Sequence, residues 1–531
     1  MKPFVAPVED ILFTLNHVAG ARDLPDWDAE FASEIAGHFA AFAEGEIAPL
    51  DEPGDLEGCT LTDGRVTMPA GFKKLYASYA EQGWPGLTIP EEFGGQGMGA
   101  MMLAITSEIF SGANHSMQMV TGLVPGAART LLRFGSEDQQ ACYLPSLASG
   151  ETLATMCLTE PGAGSDLSRV RCRATPDGGG WQITGEKIFI SGGDQDMSDK
   201  ILHLVLARTS DNGIKGLSLF LCPCTRADGS RNGVTVTRIE EKMGLHASPT
   251  CQLAFDGAEA ELIGAEGQGL MAMFTMMNHA RSDVALQGVA HAARAYDVAG
   301  SYAAERQQGR GAEGQTVTLD GHADVRRMLD EIDAAALGAR AIAHLAFVTM
   351  ERGDTPDLVE FLTPLAKVSG TEAGIRGAEQ GIQVLGGYGY LREYRLEQTY
   401  RDARICAIYE GANGIHERML ATRLLGAAPA DAFAAFLAGE GHPEVAEALA
   451  DWQEARQVLL NQDDPTPFAH AFYLLTRDTL LTALWHRMVA QAAAHPQPER
   501  ISRVAAVQLA EIAAWRPARL TQLRAIGSGS A

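Results

Sequence analysis

Positive charge is scarce in this sequence. Its 531 residues carry 42 lysines and arginines against 67 aspartates and glutamates, a formal net charge of −25. This balance disfavours a generic nucleic-acid or anionic-membrane surface as a partner. Long apolar runs are lacking too. The most apolar late stretch, FAHAFYLLTRDTLLTALWHRMVAQAAA from Phe468, is broken by Arg477, Asp478, His486 and Arg487. That is well short of the roughly 20 apolar residues a membrane span needs, so an amphipathic helix of a soluble fold is expected. The opening MKPFVAPVEDILFTLNHVAGARD is interrupted by Glu9 and Asp10. It reads neither as a secretory signal nor, being acidic, as a mitochondrial transit peptide. Cysteine is sparse: Cys59, Cys142, Cys157, Cys172, Cys222, Cys224, Cys251 and Cys406 lie scattered along the chain, as in a reducing compartment, and a cytoplasmic location is expected. Cys222-Pro-Cys224 is too tight for paired metal ligands and has no second pair of matching spacing, so no metal is expected. No internal repeat is found.

What is present is a change of pattern along the chain. Residues 1–154 read as helical, with DAEFASEIAGHFAAFAEGEI and Met101 to Phe134 apolar at intervals of three and four. A glycine-rich loop, IPEEFGGQGMG, separates them. Residues 155–265 hold short β-rich segments divided by Gly, Asp and Asn, which predicts five or six strands in a compact antiparallel barrel or sandwich of roughly 105 residues. Helical periodicity resumes in 266–425, where a four-helix bundle is expected, and Met271, Met273, Met276 and Met277 are expected to pack in its core. Residues 426–526 form a helical extension, and 527–531 a flexible tail. The fold class is α+β, mainly α.

Four stretches offer chemistry. Thr159-Glu-Pro-Gly-Ala-Gly-Ser-Asp166 brings glycines that let the backbone approach a ligand, with Thr159 and Ser165 as hydroxyl donors. It lacks the Gly-Lys-Ser/Thr ending of a phosphate-binding P-loop and the strand–helix unit of a dinucleotide fingerprint; by itself it reads more readily as a tight turn than as a ligand loop. Phe189 and Ser191 end a strand, two residues apart, which predicts both on one face, able to stack on and bond a flat heterocycle. Gln383-Val-Leu-Gly-Gly387 is a second glycine cluster, fit for a turn or a pyrophosphate. Finally, ICAIYEGANGIHER puts Glu410 after an apolar run and just before Gly411 and Gly414. Either it caps a helix or it is a base in a dry pocket.

Taken in order, IPEEFGGQG, CLTEPGAGSD, ITGEKIFISGG, QVLGGYGYLREYRLEQTYRDAR and IYEGANGIHER resemble the acyl-CoA dehydrogenase family, over about Pro85 to Leu425. The ends, with APVEDILFTLNHVAG, MFTMMNHAR, ERQQGR and HADVRRML, look like its larger bacterial branch with a C-terminal helical extension, which includes 3-methylthiopropionyl-CoA dehydrogenases. The resemblance implies FAD and an α,β-dehydrogenation: a carboxylate takes the α-proton of an acyl-CoA thioester while hydride leaves the β-carbon for the flavin. The product is a trans-2-enoyl-CoA, and an electron-transferring flavoprotein receives the electrons. Short or medium acyl chains and 3-methylthiopropionyl-CoA are the implied substrates.

By matched position Glu410 is the base, and its backbone N–H, with a flavin hydroxyl, would bond the thioester oxygen. Leu158, Thr159, Phe189 and Ser191 would meet the flavin, and Ser165 and Arg281 the CoA or its thioester. Arg306, Gln383, Gly386 and Gly387 would hold FAD across a subunit interface, implying a dimer or a dimer of dimers. Ala412 stands where the family usually has Thr, and Asn413 is expected to replace the lost contact to FAD. Arg-Gln-Gln-Gly-Arg from Arg306 departs from the usual Arg-Lys-x-Phe-Gly, and the first loop has the Pro-Gly-Ala-Gly-Ser form rather than the branch's His-Cys-Gly-Thr. An acyl-CoA oxidase and a DNA-protective flavoprotein of the same fold are the alternatives. Mixed charge after Gly426 disfavours the latter, and Glu410 disfavours a lyase that lacks the base.

Overall fold

The computed structural model describes residues 2–311 and 314–529. The chain holds helices, a β layer, further helices and a helical extension, in that order. The last helix, Pro498–Gly529, takes in three residues of the expected tail; Ser530 and Ala531 lie outside the described residues. Contacts divide the chain into two compact units that cut across the sequential order. One comprises Met1–Glu44, Ala100–Gly112 and Arg281–Ala531, the other Gly45–Gly99 and Ala113–Ala280. One division falls near Asn114, where the helix Ala100–Thr121 loses helical dihedrals.

The second unit is built around strands. After a hairpin of β1 (Thr60–Thr62) and β2 (Arg65–Thr67) come β3 (Thr152–Cys157), β4 (Arg173–Asp177), β5 (Gly180–Ser191), β6 (Lys200–Arg208), β7 (Leu217–Pro223), β8 (Val234–Ile239) and β9 (Thr250–Ile263). The pairings β6–β4–β5–β9–β7 return to β6, closing a barrel, with β3 on β6 and β8 on β9. The expected antiparallel arrangement needs one correction: β3 and β4 each pair with β6 in parallel. Alternation aims Ile183, Val205, Phe220, Val236, Leu253 and Phe255 inward, each worth about 1.5–3 kcal/mol when buried. Of the four methionines on the following helix, Met273, Met276 and Met277 are buried as expected, whereas Met271 is 53% exposed.

The first unit is helical. Its long helices are Gly269–Glu305 from Arg281 onward, Ala323–Arg352 and Pro356–Leu385. A fourth is split by a turn into Leu396–Cys406 and Asn413–Ala421. Two of them touch backbone to backbone: a Cβ on Gly370 would lie 2.2 Å from the Ala285 carbonyl oxygen, and one on Gly374 2.6 Å from that of Gly288. Ala323–Arg352 is long and apolar enough to cross a membrane by composition, yet 94% of its apolar window is buried inside the protein. It carries Arg340, wholly buried and bonded to buried Glu108 at 2.7 Å.

The extension joins this core. Phe433 stacks on Phe361 at 4.5 Å between ring centres, and Trp452 meets Phe433 edge-on at 5.1 Å. Arg500 of the last helix grips Asp10 at 3.0 Å and also bonds Asp333, while His495 lies 2.9 Å from Asp10. Burial alone would raise the Asp10 carboxyl; the His495 bond and the Arg500 and Arg340 charges outweigh it and hold the group well below the usual carboxylate range.

Candidate active site

The turn that splits the fourth helix is strained. Ile408 N–H and Tyr409 N–H still bond the Ile405 carbonyl at 2.8 and 3.1 Å, and then Glu410 takes φ +54° and Gly411 φ +98°. A left-handed non-glycine residue costs on the order of 1–3 kcal/mol and persists only where its surroundings impose it. Here they do. The Glu410 carbonyl accepts from Arg281 Nε at 3.2 Å and from His416 Nε2 at 3.1 Å. The Gly411 carbonyl accepts from Lys367 Nζ at 2.8 Å. Glu410 is no helix cap: the N-cap of Asn413–Ala421 is Ala412. Among the described residues no acceptor takes the Glu410 N–H.

Burial pushes the Glu410 carboxyl up, Arg281 and Lys367 pull it partly back, and it comes to about 7. It is thus poised to exchange a proton near neutral pH. Burial first, then the same two cations, pushes His416 down to about 3, so it is neutral and carries its proton on Nε2. Burial likewise raises the Tyr409 phenol, whose hydroxyl donates to Gln287 Oε1, and lifts the Cys406 thiol to about 12.

The β unit holds the second group of expected residues. Glu160 and Lys187 form a buried pair at 2.8 Å. Lys187 Nζ also bonds the Leu158 carbonyl at 3.0 Å, and Glu160 accepts from the Arg171 and Cys172 amides at 2.6 and 3.0 Å. This clamp fixes the loop beside β5, where Ile188 N–H bonds the Thr159 carbonyl at 2.9 Å. Leu158, Thr159, Phe189 and Ser191 are thereby brought together. Their placement corrects the strand argument. Phe189 has φ +59°, and the β5–β9 register shifts between Lys187 and Ile190, so regular alternation fails there. The bulge turns Phe189 outward, 60% exposed, as bulges beside functional sites do. Ser165 is exposed on the same loop, with open space beside Gly162 and Gly164.

The third group lies in the helical unit. Arg306 stands over the Tyr388 ring at 5.5 Å, in the turn Gly386–Tyr390 that follows Gln383. Gln383, Gly386 and Gly387 are exposed, and nothing stands within 4 Å of a Cβ at either glycine.

Arg281 lies against the backbone of Glu410. The Asn413 amide oxygen accepts from Lys367 Nζ at 3.0 Å, and its nitrogen is 3.1 Å from the Thr371 hydroxyl. Sequence reasoning missed Lys187, Glu160, Lys367 and His416. The available signal was a lone lysine inside each of two apolar runs, GEKIFIS and TPLAKVSG, since unpaired buried ammonium groups are not tolerated.

Three family models match: acyl-CoA dehydrogenase N-terminal domain over residues 30–151, middle domain over 155–258 and C-terminal domain over 267–425. The 3-methylmercaptopropionyl-CoA dehydrogenase of Ruegeria pomeroyi is 40% identical over 446 residues, covering 79% of this chain and 76% of that protein. An acyl-CoA dehydrogenase from Bacillus anthracis, solved with FAD, shares the fold at a TM-score of 0.77 and 22% identity, over 94% of this chain and 88% of its own. A chain in the solved structure titled for the electron transferring flavoprotein of Acidaminococcus fermentans matches at a TM-score of 0.66 and 27% identity, over 76% of this chain and all of that one.

Proposed function

Because the chain belongs to the acyl-CoA dehydrogenase family, we propose that it oxidises the Cα–Cβ bond of an acyl-CoA thioester to a trans-2-enoyl-CoA, with Glu410 as the base. The single observation that carries the assignment is the Glu410 turn: a carboxyl near neutral pKa beside its own unpartnered N–H. The N–H and carboxylate suit the two ends of one reaction. The amide bonds the thioester oxygen and stabilises the charge that grows there, and the carboxylate takes the α-proton.

The residues present fit FAD. Exposed Phe189, with Thr159 and Ser191, offers an aromatic face and hydroxyls for a flat ring. Open backbone at Gly386 and Gly387 beside the Arg306 guanidinium offers donors for a pyrophosphate, of the same or a neighbouring subunit. When bound, FAD supplies the acceptor for the hydride from the β-carbon. Arg281 and Lys367 hold the turn, and the Glu160–Lys187 pair holds the loop carrying Thr159.

The substrate proposed is 3-methylthiopropionyl-CoA or another short or medium acyl-CoA, on the strength of the Ruegeria relative. An electron-transferring flavoprotein is the proposed acceptor, a homodimer or dimer of dimers the proposed assembly, and the cytoplasm the proposed location, in keeping with eight unpaired cysteines. The test is anaerobic bleaching of the purified yellow protein by acyl-CoAs from propionyl to palmitoyl, with 3-methylthiopropionyl-CoA and branched forms. Bleaching by one group confirms the half-reaction and gives the substrate; bleaching by none overturns the proposal. Turnover with dioxygen alone would replace the flavoprotein acceptor by oxygen.

A further inference from the structure

Lys367 sits in the middle of the helix Pro356–Leu385 and is 0% exposed. Taking an ammonium out of water costs several kcal/mol unless its bonds are good, and an apolar residue of similar volume is often as stable or more so. Packing alone therefore gives no reason for a lysine here. Its bonds do. Nζ donates to the Gly411 carbonyl at 2.8 Å and to Asn413 Oδ1 at 3.0 Å. Asn413 is braced by Thr371, one turn along the same helix, whose hydroxyl also bonds the Lys367 carbonyl at 2.9 Å. Both acceptors flank the strained turn: Gly411 directly follows Glu410, and Asn413 opens the next helix.

The charges around the turn are few. The helix Gly269–Glu305 brings Arg281; Leu396–Cys406 brings Cys406; the turn itself brings Tyr409 and Glu410; Asn413–Ala421 brings His416. Cys406, Tyr409 and His416 are held neutral at pH 7 by burial. Among the described residues Arg281 and Lys367 remain as the cations acting on Glu410, and burial lowers Lys367 only to about 8, so it stays mostly protonated.

We propose that Lys367 is a positioning residue for the dehydrogenation: its ammonium fixes the Gly411 carbonyl and thereby the left-handed turn that presents the Glu410 N–H and carboxylate to one thioester. Its charge also favours the carboxylate over the carboxylic acid. This rests on Glu410 being the base.

Two variants separate position from charge. Lys367→Met removes both; Lys367→Gln keeps an N–H donor and removes the charge. Glu410 ionisation is followed by difference infrared spectroscopy of the carboxyl band across pH, with Glu410→Gln as the blank, and flavin bleaching is timed over the same range. FAD content and melting temperature are measured beside them. Both variants are expected to load FAD and to raise the Glu410 midpoint by roughly one pH unit. The ionised fraction at pH 7 then falls from about half to about a tenth, and bleaching slows about five-fold. Lys367→Met is expected to bleach more slowly than Lys367→Gln even at high pH, because the turn is no longer held. An unchanged midpoint and rate in FAD-loaded variants would overturn the proposal. So would variants that fail to fold or to load FAD, which would make Lys367 a merely structural residue. If the parent protein bleaches with no acyl-CoA, the functional reading fails, while the infrared midpoint still tests Lys367.

Discussion

A Cβ on Gly411 would stand 2.8 Å from Nε2 of His416, the nitrogen that bonds the Glu410 carbonyl. His416 is buried and has little room to retreat, and Gly411 at φ +98° is in a region that L side chains avoid. Gly411→Ala is therefore expected to lose about 1–3 kcal/mol and to slow bleaching about 100-fold, while retaining FAD. Calorimetry and stopped-flow absorbance check both; a variant as fast as the parent would show that the turn does not aim the base.

Glu410→Gln keeps the shape of the side chain but cannot take a proton. Turnover should fall about 10²–10⁴-fold with FAD occupancy unchanged, and the parent's kcat/KM should rise with pH through a midpoint near 7. Rapid flavin reduction in the variant would remove Glu410 from the role of base. The same burial predicts a stability effect. A carboxyl raised from its ordinary value of 4.5 to about 7 contributes stability below pH 4.5 that is lost as pH rises through 7. Glu410→Gln should accordingly be more stable than the parent at pH 8, by about 1–3 kcal/mol, with the gap closing towards pH 5 in denaturant titrations.

Lys187→Met would leave the Glu160 carboxylate buried beside the Thr159 loop without its cation. Breaking such a pair costs about 3–5 kcal/mol, so both melting temperature and FAD occupancy should drop. Adding Glu160→Gln should restore part of the stability. A double-mutant cycle measures the coupling, and a coupling near zero would separate the pair from the loop it braces.

Arg306→Ala removes a guanidinium whose contact is the Tyr388 ring. FAD retention after gel filtration should weaken about ten-fold, with little change in bleaching rate for the FAD that stays bound. Full occupancy in the variant would free Arg306 from a cofactor role.

Patterns were legible where the backbone is regular. Short β-rich segments divided by Gly, Asp and Asn announced a barrel or sandwich, and the three-and-four spacing announced the helices, because side-chain direction follows backbone period. Parallel pairing of β3 and β4 with β6 was not legible, since strand neighbours are chosen by topology rather than by local pattern. Glu410 was singled out through family likeness and its place before Gly411, but its positive φ was not legible. Phe189 shows the limit most clearly: one bulge residue cancels the period-two rule on which its orientation was argued. For Lys367 and Lys187 the apolar runs around them signalled burial but not the partner. Each acts on a carbonyl far away in sequence, 44 and 29 residues off, and no local spacing encodes such a bond.

The salt bridge of Arg500 to Asp10 spans 490 residues, and this carries a consequence for how the protein is made. Asp10 emerges from the ribosome early and Arg500 late; at about 5–20 residues per second the interval is roughly 25–100 s. Throughout it Asp10 waits for this cation, and Asp333, 167 residues before Arg500, waits over its last third. The Asp10 bridge therefore forms only after nearly the whole chain has been made, and the helical unit completes this part of its packing last.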